Sequence, residues 1–149
     1  MNTKPVLSAE DVKKILAAAE AHAVQNKWAV TISVVDDGGH LLGMLRLDGA
    51  APISAHISPS KAKTAALGRR ESRIYEEMIN TGRVSFLSAP LIDGLLEGGV
   101  PITVDGHVVG AVGVSGVKST EDVLIAQAGI AALGPVSYTH LTLPTILLV

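Results

Sequence analysis

The chain has 149 residues, which is long enough for one domain with a proper hydrophobic core and short for two. Its formal net charge is −2, and no cluster of Lys or Arg alternates with aromatic residues, so the charge pattern of a nucleic-acid-binding protein is missing. The absence of cysteine excludes disulfides, thiolate metal sites, iron–sulfur clusters and covalent c-type haem attachment.

The hydrophobic residues make up 48% of the chain and are mostly small aliphatic ones. So much aliphatic surface predicts burial between subunits as well as within one, and therefore a homo-oligomer, dimeric or higher. The N-terminal "MNTKPVLSAEDVKK" carries charges where a signal peptide needs an apolar segment, and no apolar run reaches membrane-spanning length. We therefore expect a cytoplasmic protein with no membrane partner.

The C-terminal end changes character after "AGIAALGP" to "VSYTHLTLPTILLV", where Thr and Leu alternate and charged residues stop. This stretch resembles one reading frame of a transposon-end sequencing adapter, and the alternative is a short C-terminal strand. We therefore predict a single domain over residues 1–135 and a non-native tail over 136–149, in which Tyr138 and His140 carry no function.

The first predicted helix runs from about Ala9 to Asn26. Ser8 and Asp11 form a helix-start pattern, and apolar residues then recur at helical spacing, namely Val12, Ile15, Leu16, Ala19 and Ala23. A β-hairpin follows, with one strand to about Val35, a turn at "DDGG", and a return strand from His40 to Leu47.

The middle of the chain predicts a helix capped by Ser58 with Pro59 at its first position. Gly68 should divide this helix into two pieces before Gly82. Residues 83–99 carry mixed signals that fit either a short helix or a strand.

A second hairpin is predicted from "VPITVDGHVVGAVGVSG", in which Asp105-Gly106 forms the turn. A last helix, capped by Ser119 or Thr120, runs through "EDVLIAQAGIAAL". Hairpins make neighbouring strands antiparallel, so the fold class is α+β, built on an antiparallel sheet of four to five strands. On the last strand, Val108, Val112 and Val114 should share one face, with Val109 and Ala111 on the other.

Several blocks together resemble the GlcG/HbpS family of haem-binding proteins, which also occurs as the C-terminal domain of PduO-type proteins. These blocks are "VVDDGGHL", "RLDGA", "KAKTAA", "GGVPI" and "DGHVVGAVGVSG" followed by "EDVLIAQAGIAAL", and they cover the chain from about Ser8 to Leu133. The resemblance implies a three-layer sandwich that self-associates. It also implies non-covalent binding of haem, or less readily of a corrinoid, in haem sensing, uptake or storage.

Gly110, Gly113 and Gly116 recur inside and after the last strand, where glycine is unfavourable and therefore needs a reason. A phosphate-binding loop is disfavoured because Val117 separates Gly116 from Lys118. Gly110 and Gly113 should lie on opposite faces, so each lets either a helix or a flat tetrapyrrole approach the strand. We favour helix packing and keep both glycines as candidate cofactor contacts.

Haem binding requires an apolar slot, an axial ligand and cations for the propionates. His22, at the margin of the first helix, is the first choice as ligand of the haem iron, because the resemblance implies that a relative uses a histidine of this helix. His56, expected in a loop before the Ser58 cap, is the second. His40 and His107 follow tight turns and are weaker candidates, and Met44 and Met78 fit a core role better.

Arg46, Asp48 and Lys61 fall in the family-like blocks. Arg46 or Lys61 could pair with propionates, or either could form a salt bridge with Asp48.

No nucleophile, base and orienting group can be assembled, so catalysis is unsupported, and the histidine spacing fits no metal motif. Two functions stay open at this point. One is a haem or tetrapyrrole binder, and the other is a cofactor-free oligomeric accessory subunit of a small-molecule pathway of the glycolate or diol type.

Overall fold

The computed structural model describes residues 1–135 and contains one antiparallel sheet flanked by helices. The predicted tail over 136–149, with Tyr138 and His140, lies outside the described residues. The elements in chain order are α1 (Ala9–Gln25), β1 (Thr31–Asp36), β2 (Leu41–Arg46), α2 (Ser54–Gly68), α3 (Ser72–Asn80), a 3-10 helix (Val84–Ser88), β3 (Gly99–Val104), β4 (His107–Ser115) and α4 (Ser119–Ala131). The strand order is β2-β1-β4-β3, which confirms the predicted α+β class.

The three predicted layers are present, with the sheet in the middle. Helices α1 and α4 pack together on one face, and α2 covers the other face with α3 beside it. Alternate residues of β1 and β4 point into the larger core under α1 and α4, where every contributor is aliphatic; these include Ile32, Val34, Val112, Val114, Ile125 and Ile130. Burial of this surface is the main force that holds the layers together.

The face under α2 is built from small and polar residues instead. Thr31 and Ser33 of β1 share hydrogen bonds with Ser54 and Ser58 of α2, at 2.8 and 2.7 Å between the hydroxyl oxygens. The Ser58 hydroxyl also donates to the carbonyl oxygen of Gly113 at 2.8 Å. Small side chains bring this helix close to the sheet, and the hydroxyl groups satisfy one another where water is excluded.

Helix α1 begins as predicted. Ser8 and Asp11 form a reciprocal capping box, in which each side chain accepts from the other residue's backbone N–H at 3.1 and 2.9 Å. The Ser8 N–H also contributes to lowering the pKa of the Asp11 carboxyl. The helix ends at Gln25, one residue before the predicted end.

Helix α2 begins five residues earlier than predicted, at Ser54 instead of Pro59. Ser58 is not a cap because its hydroxyl is committed to the sheet, and Pro59 lies in the second turn rather than the first. The proline ring costs the helix only one backbone hydrogen bond. The tertiary contacts of α2 with the sheet outweigh that loss. The predicted division at Gly68 is confirmed, since α2 ends there and α3 starts at Ser72.

The last helix and residues 83–99 also differ in detail from the predictions. Lys118 precedes α4 and donates its backbone N–H to the Glu121 carboxylate at 3.3 Å, so neither Ser119 nor Thr120 is the cap. Residues 83–99 form one short 3-10 helix over Val84–Ser88 followed by irregular chain, with β3 starting at Gly99.

A bulge in β4 corrects the predicted faces of Val108 and Val109, and Val108, which pairs with Thr103, lies on the side of α2 and α3 rather than with Val112 and Val114. The register jumps from Ile102 paired with Gly110 to Thr103 paired with Val108, which leaves Val109 without a partner. Two successive residues of a bulged strand can share a face, and Val109 accordingly joins the larger core instead of facing α2 with Ala111. Among residues 1–135, no helix is both long and apolar enough to span a membrane.

Candidate functional site

Four of the predicted ligand-binding residues gather at the end of the sheet where β1 begins, which we call the Thr31 end. Arg46 closes β2 and pairs with Thr31, and Asp48 lies in the turn that follows. His56 is in the first turn of α2, whose Ser54 bonds to Thr31. His22, in the last turn of α1, is close to Trp28, just before β1. The sheet separates His22, in the α1 layer, from His56, in the α2 layer.

His22 is half-buried, and its ring centroid lies 6.0 Å from that of Trp28. Trp28 packs against the edge of the larger core, so it supports one side of the imidazole. The Asn26 side chain donates to the backbone oxygen of His22 at 2.8 Å and fixes the end of the helix. The imidazole is therefore held near the surface by an apolar neighbour, in a position from which it can reach a ligand.

His56 is exposed on a helix, not in a loop as predicted. The correction follows from the early start of α2 at Ser54. Its backbone oxygen accepts from the Ser60 hydroxyl at 3.1 Å, and the residue is exposed to solvent.

Arg46 does not form the predicted salt bridge with Asp48. Its guanidinium donates through Nε and Nη2 to the carbonyl oxygen of Ala50, at 3.3 and 3.0 Å. The bond fixes the loop between β2 and α2 and leaves further N–H groups of the guanidinium available. Asp48 is exposed in that loop.

Strand β2 presents an uncovered apolar surface beside Arg46. Helix α2 lies over β1 and β4, where Ser58 bonds to both strands, and it leaves the outer strand open. Leu41, Leu42 and Met44 are 54%, 43% and 43% exposed. We call the exposed side chains of Leu41, Leu42, Met44 and Arg46 the β2 shelf. Met44 and Arg46 pair with Ser33 and Thr31, so both side chains point to the α2 side of the sheet.

Lys61 is not available to a propionate in this structure. Its side chain is 4% exposed, and its ammonium group bonds to the Asp122 carboxylate at 3.2 Å and to the carbonyl oxygen of Val114 at 2.9 Å. A salt bridge is present as one alternative predicted, but its partner is Asp122 and not Asp48. The pair links α2 to α4 across the end of β4.

Asp122 is the one group in this region with a strongly shifted pKa. Burial raises the pKa of its carboxyl to about 6, because the removal of water from the charge outweighs the attraction of Lys61. Its other oxygen accepts from the backbone N–H of Val117 at 3.2 Å. Sequence reasoning missed Asp122, since "TEDV" indicates only an acidic helix start and its partner is 61 residues away.

The glycines of β4 are explained by packing within the chain. A Cβ at Gly113 would overlap the backbone oxygen of Ser58 and lie 2.5 Å from the nitrogen of Ala62. A Cβ at Gly110, on the opposite face, would lie 2.7 Å from Leu7. Gly116 has a φ of +146° in the turn after β4. No tetrapyrrole fits beside Gly110 or Gly113 within this chain, because α2 and the N-terminal segment occupy those spaces.

The weaker histidine candidates lie at the opposite end of the sheet. The His40 Nδ1 is 3.1 Å from the Asp36 carboxylate in the first hairpin turn, and His107 is exposed after the second. Within residues 1–135, no cluster of three or more His, Asp or Glu side chains is arranged to hold a metal ion.

A family model described as haem degrading protein HbpS-like matches residues 7–131. The chain belongs to the HbpS-like family. Protein GlcG of Escherichia coli (strain K12) is 56% identical over 115 residues, which cover 77% of this chain and 85% of GlcG. The resemblance found in the sequence blocks is thereby confirmed.

Two solved structures share the fold of this chain. The crystal structure of HbpS superposes with a TM-score of 0.82 at 30% identity and covers 90% of this chain and 94% of HbpS. A structure described as the PduOC:haem complex gives 0.81 at 27% identity and covers 90% of this chain and 99% of PduOC.

Proposed function

We propose that this chain binds haem non-covalently at its Thr31 end and serves in haem sensing, uptake or storage. The observation that carries the proposal is the β2 shelf, an exposed apolar strand surface that ends in the guanidinium of Arg46, with histidines on both flanking helices. The PduOC:haem complex, a structural relative, supports haem as the ligand.

The residues at this end fit the chemical needs of a haem. The apolar side chains of the β2 shelf match the porphyrin face, and Arg46 offers charge-assisted hydrogen bonds to a propionate. An imidazole nitrogen is a common axial ligand of haem iron. His22, half-buried beside Trp28, remains the first choice, whereas His56 is exposed. Because His22 lies in the α1 layer and Met44 and Arg46 point to the α2 side, a haem held by His22 and Arg46 would have to extend past the Thr31 end of the sheet, while His56 shares the side of Arg46.

Absorbance titration with hemin tests the proposal on the full chain and on single variants. We expect His22→Ala to shift and weaken the Soret band, because it removes the axial ligand. Arg46→Gln should weaken hemin binding by roughly tenfold or more, the value of one charged hydrogen bond. His40→Ala is the matched control, since it removes an exposed histidine at the other end of the sheet.

The variants also distinguish the two histidines. If His56→Ala changes the Soret band and His22→Ala does not, the axial ligand is on α2 and the assignment of His22 is wrong. Unchanged hemin binding in Arg46→Gln would contradict the placement on the β2 shelf.

A second candidate function is a cofactor-free subunit of an oligomeric assembly that serves glycolate-type or diol-type metabolism. It is favoured by a further exposed apolar surface around the 3-10 helix, where Leu87 and Leu91 are 67% and 70% exposed. This function predicts a robust oligomer by light scattering together with no saturable hemin binding.

A further inference from the structure

A cavity of about 540 Å³ lies at the hairpin end of the sheet, beside β3, which is the edge strand on the other side of the sheet from β2. It opens between the link from α2 to α3 and the turn from β3 to β4. Ile74, Pro101 and Val108 form an apolar floor, and the rim carries Lys4, Arg69 and Arg70. Cavities of this size hold small organic ligands, and an apolar floor with a few charged groups is their usual lining.

The two arginines on the rim have no carboxylate partner among residues 1–135. Arg69 donates through Nη1 to the backbone oxygens of Asp37 and Ala66, at 2.6 and 2.8 Å. Arg70 donates through Nε to the oxygen of Gly68 at 3.4 Å, and its guanidinium lies over the Tyr75 ring, 5.5 Å from the centroid. These contacts hold both side chains while leaving further N–H donors of each guanidinium without a partner there.

The remaining charges around the cavity are largely compensated. Lys4 pairs with Asp37, whose pKa is lowered chiefly by the hydrogen bond from Lys4. Glu71 also lines the cavity, and its carboxylate lies 3.5 Å from Nε of Arg73, whose guanidinium also pairs with Glu77 at 2.8 Å. The excess charge at the rim is therefore positive and comes from Arg69 and Arg70.

We propose that this cavity binds a small organic molecule that carries a carboxylate or a phosphate group on an apolar body. The planar guanidinium groups of Arg69 and Arg70 receive the oxyanion through paired hydrogen bonds, which arginine forms with both groups. The apolar body lies on Ile74, Pro101 and Val108. The site shares no residue with the β2 shelf, so the chain would carry two separate ligands.

Two-dimensional amide NMR of the full chain tests this site with four probes: benzoate, phenyl phosphate, inorganic phosphate and benzyl alcohol. Benzoate, phenyl phosphate or both should give saturable shifts at residues 69–74 and 101–108. The neutral benzyl alcohol and the bare phosphate should bind at least tenfold more weakly, because each lacks one half of the recognised chemistry. The preferred acid identifies the oxyanion.

Arg69→Gln/Arg70→Gln should reduce the affinity for the preferred probe at least tenfold. Lys13→Gln/Arg83→Gln is the matched control, because it removes two positive charges outside the cavity and should leave the affinity unchanged. Arg69 also binds backbone carbonyl oxygens, so its replacement removes contacts within the fold. If the double variant fails to fold, Arg70→Gln alone tests the site.

Three results would overturn the proposal. The first is the absence of saturable shifts with both acids, and the second is equal binding of benzyl alcohol or inorganic phosphate. The third is shifts that centre on the β2 shelf instead of the cavity. Hemin binding is measured separately in the same variants, so failure of this site and failure of haem binding are distinguishable.

Discussion

At the scale of the residue, the buried pair of Lys61 and Asp122 has the largest energetic consequence. Both side chains are almost inaccessible to water, at 4% and 2% exposure. Loss of either partner would leave a buried charge, which is far more costly than loss of a surface ion pair. The two residues therefore belong to the scaffold that sets α2 against α4.

The stability of the protein should depend on pH through Asp122. Its pKa of about 6 in the folded state lies above the unfolded value of 3.8, so the folded state retains a proton that the unfolded state has released. The contribution of Asp122 to the free energy of unfolding therefore falls as pH rises through the window from about 4 to 6. Relative to Asp122→Asn, which cannot titrate, the wild type should lose up to about 3 kcal/mol in that window.

Urea denaturation between pH 4 and 7 measures this difference. Asp11 and Asp37 have lowered pKa values and give a slope of opposite sign, so only the difference between wild type and variant isolates Asp122. Asp93→Asn is the control for loss of one exposed carboxylate. If the free energy of unfolding of the wild type minus that of Asp122→Asn stays constant or rises with pH, burial does not raise the pKa of Asp122.

At the scale of the element, the contact of α2 with the sheet organises half of the molecule. Gly113 lets the backbone of α2 approach β4, and Ser58 bonds to β1 and β4 at the same point. Close approach and hydroxyl pairing replace the aliphatic packing found under α1 and α4. The same placement leaves β2 uncovered and so creates the β2 shelf.

Gly113→Ala should displace α2 and lower the free energy of unfolding by about 3 kcal/mol or more, because the added Cβ meets immovable backbone. Chemical denaturation monitored by circular dichroism measures the loss. Gly38→Ala is the matched control, with an expected effect within about 0.5 kcal/mol, since its Cβ would meet the movable side chain of His40 at 2.9 Å. Equal stability of the two variants would show that α2 does not pack closely on Gly113.

The elements were predictable from sequence wherever local chemistry decides them. The Ser8 and Asp11 pair starts α1, and Asp105-Gly106 makes the second hairpin turn, as the local signals indicate. The start of α2 was not predictable, because Ser58 and Pro59 give a strong local cap signal that tertiary hydrogen bonds override. Val108 and Val109 were both assigned to the wrong face because a bulge has no signature in a run of valines and glycines.

At the scale of the whole molecule, the two ends of the sheet carry different chemistry. The Thr31 end combines Arg46, where the β2 shelf ends, with two histidines, and the hairpin end carries the cavity with Arg69 and Arg70. Membership of the HbpS-like family was predictable from sequence blocks alone. The placement of His22 and His56 in different layers was not predictable, because it depends on which face of the sheet each helix covers.

The most direct test of haem binding is a hemin titration of the full chain followed by two signals at once. Trp28 is the only tryptophan and lies 6.0 Å from His22 between ring centroids, so bound haem should quench its emission by energy transfer. We expect the Soret absorbance and the quenching to saturate together at one hemin per chain. A linear rise in absorbance with no end point, and no saturable quenching of Trp28, would contradict specific haem binding at the Thr31 end.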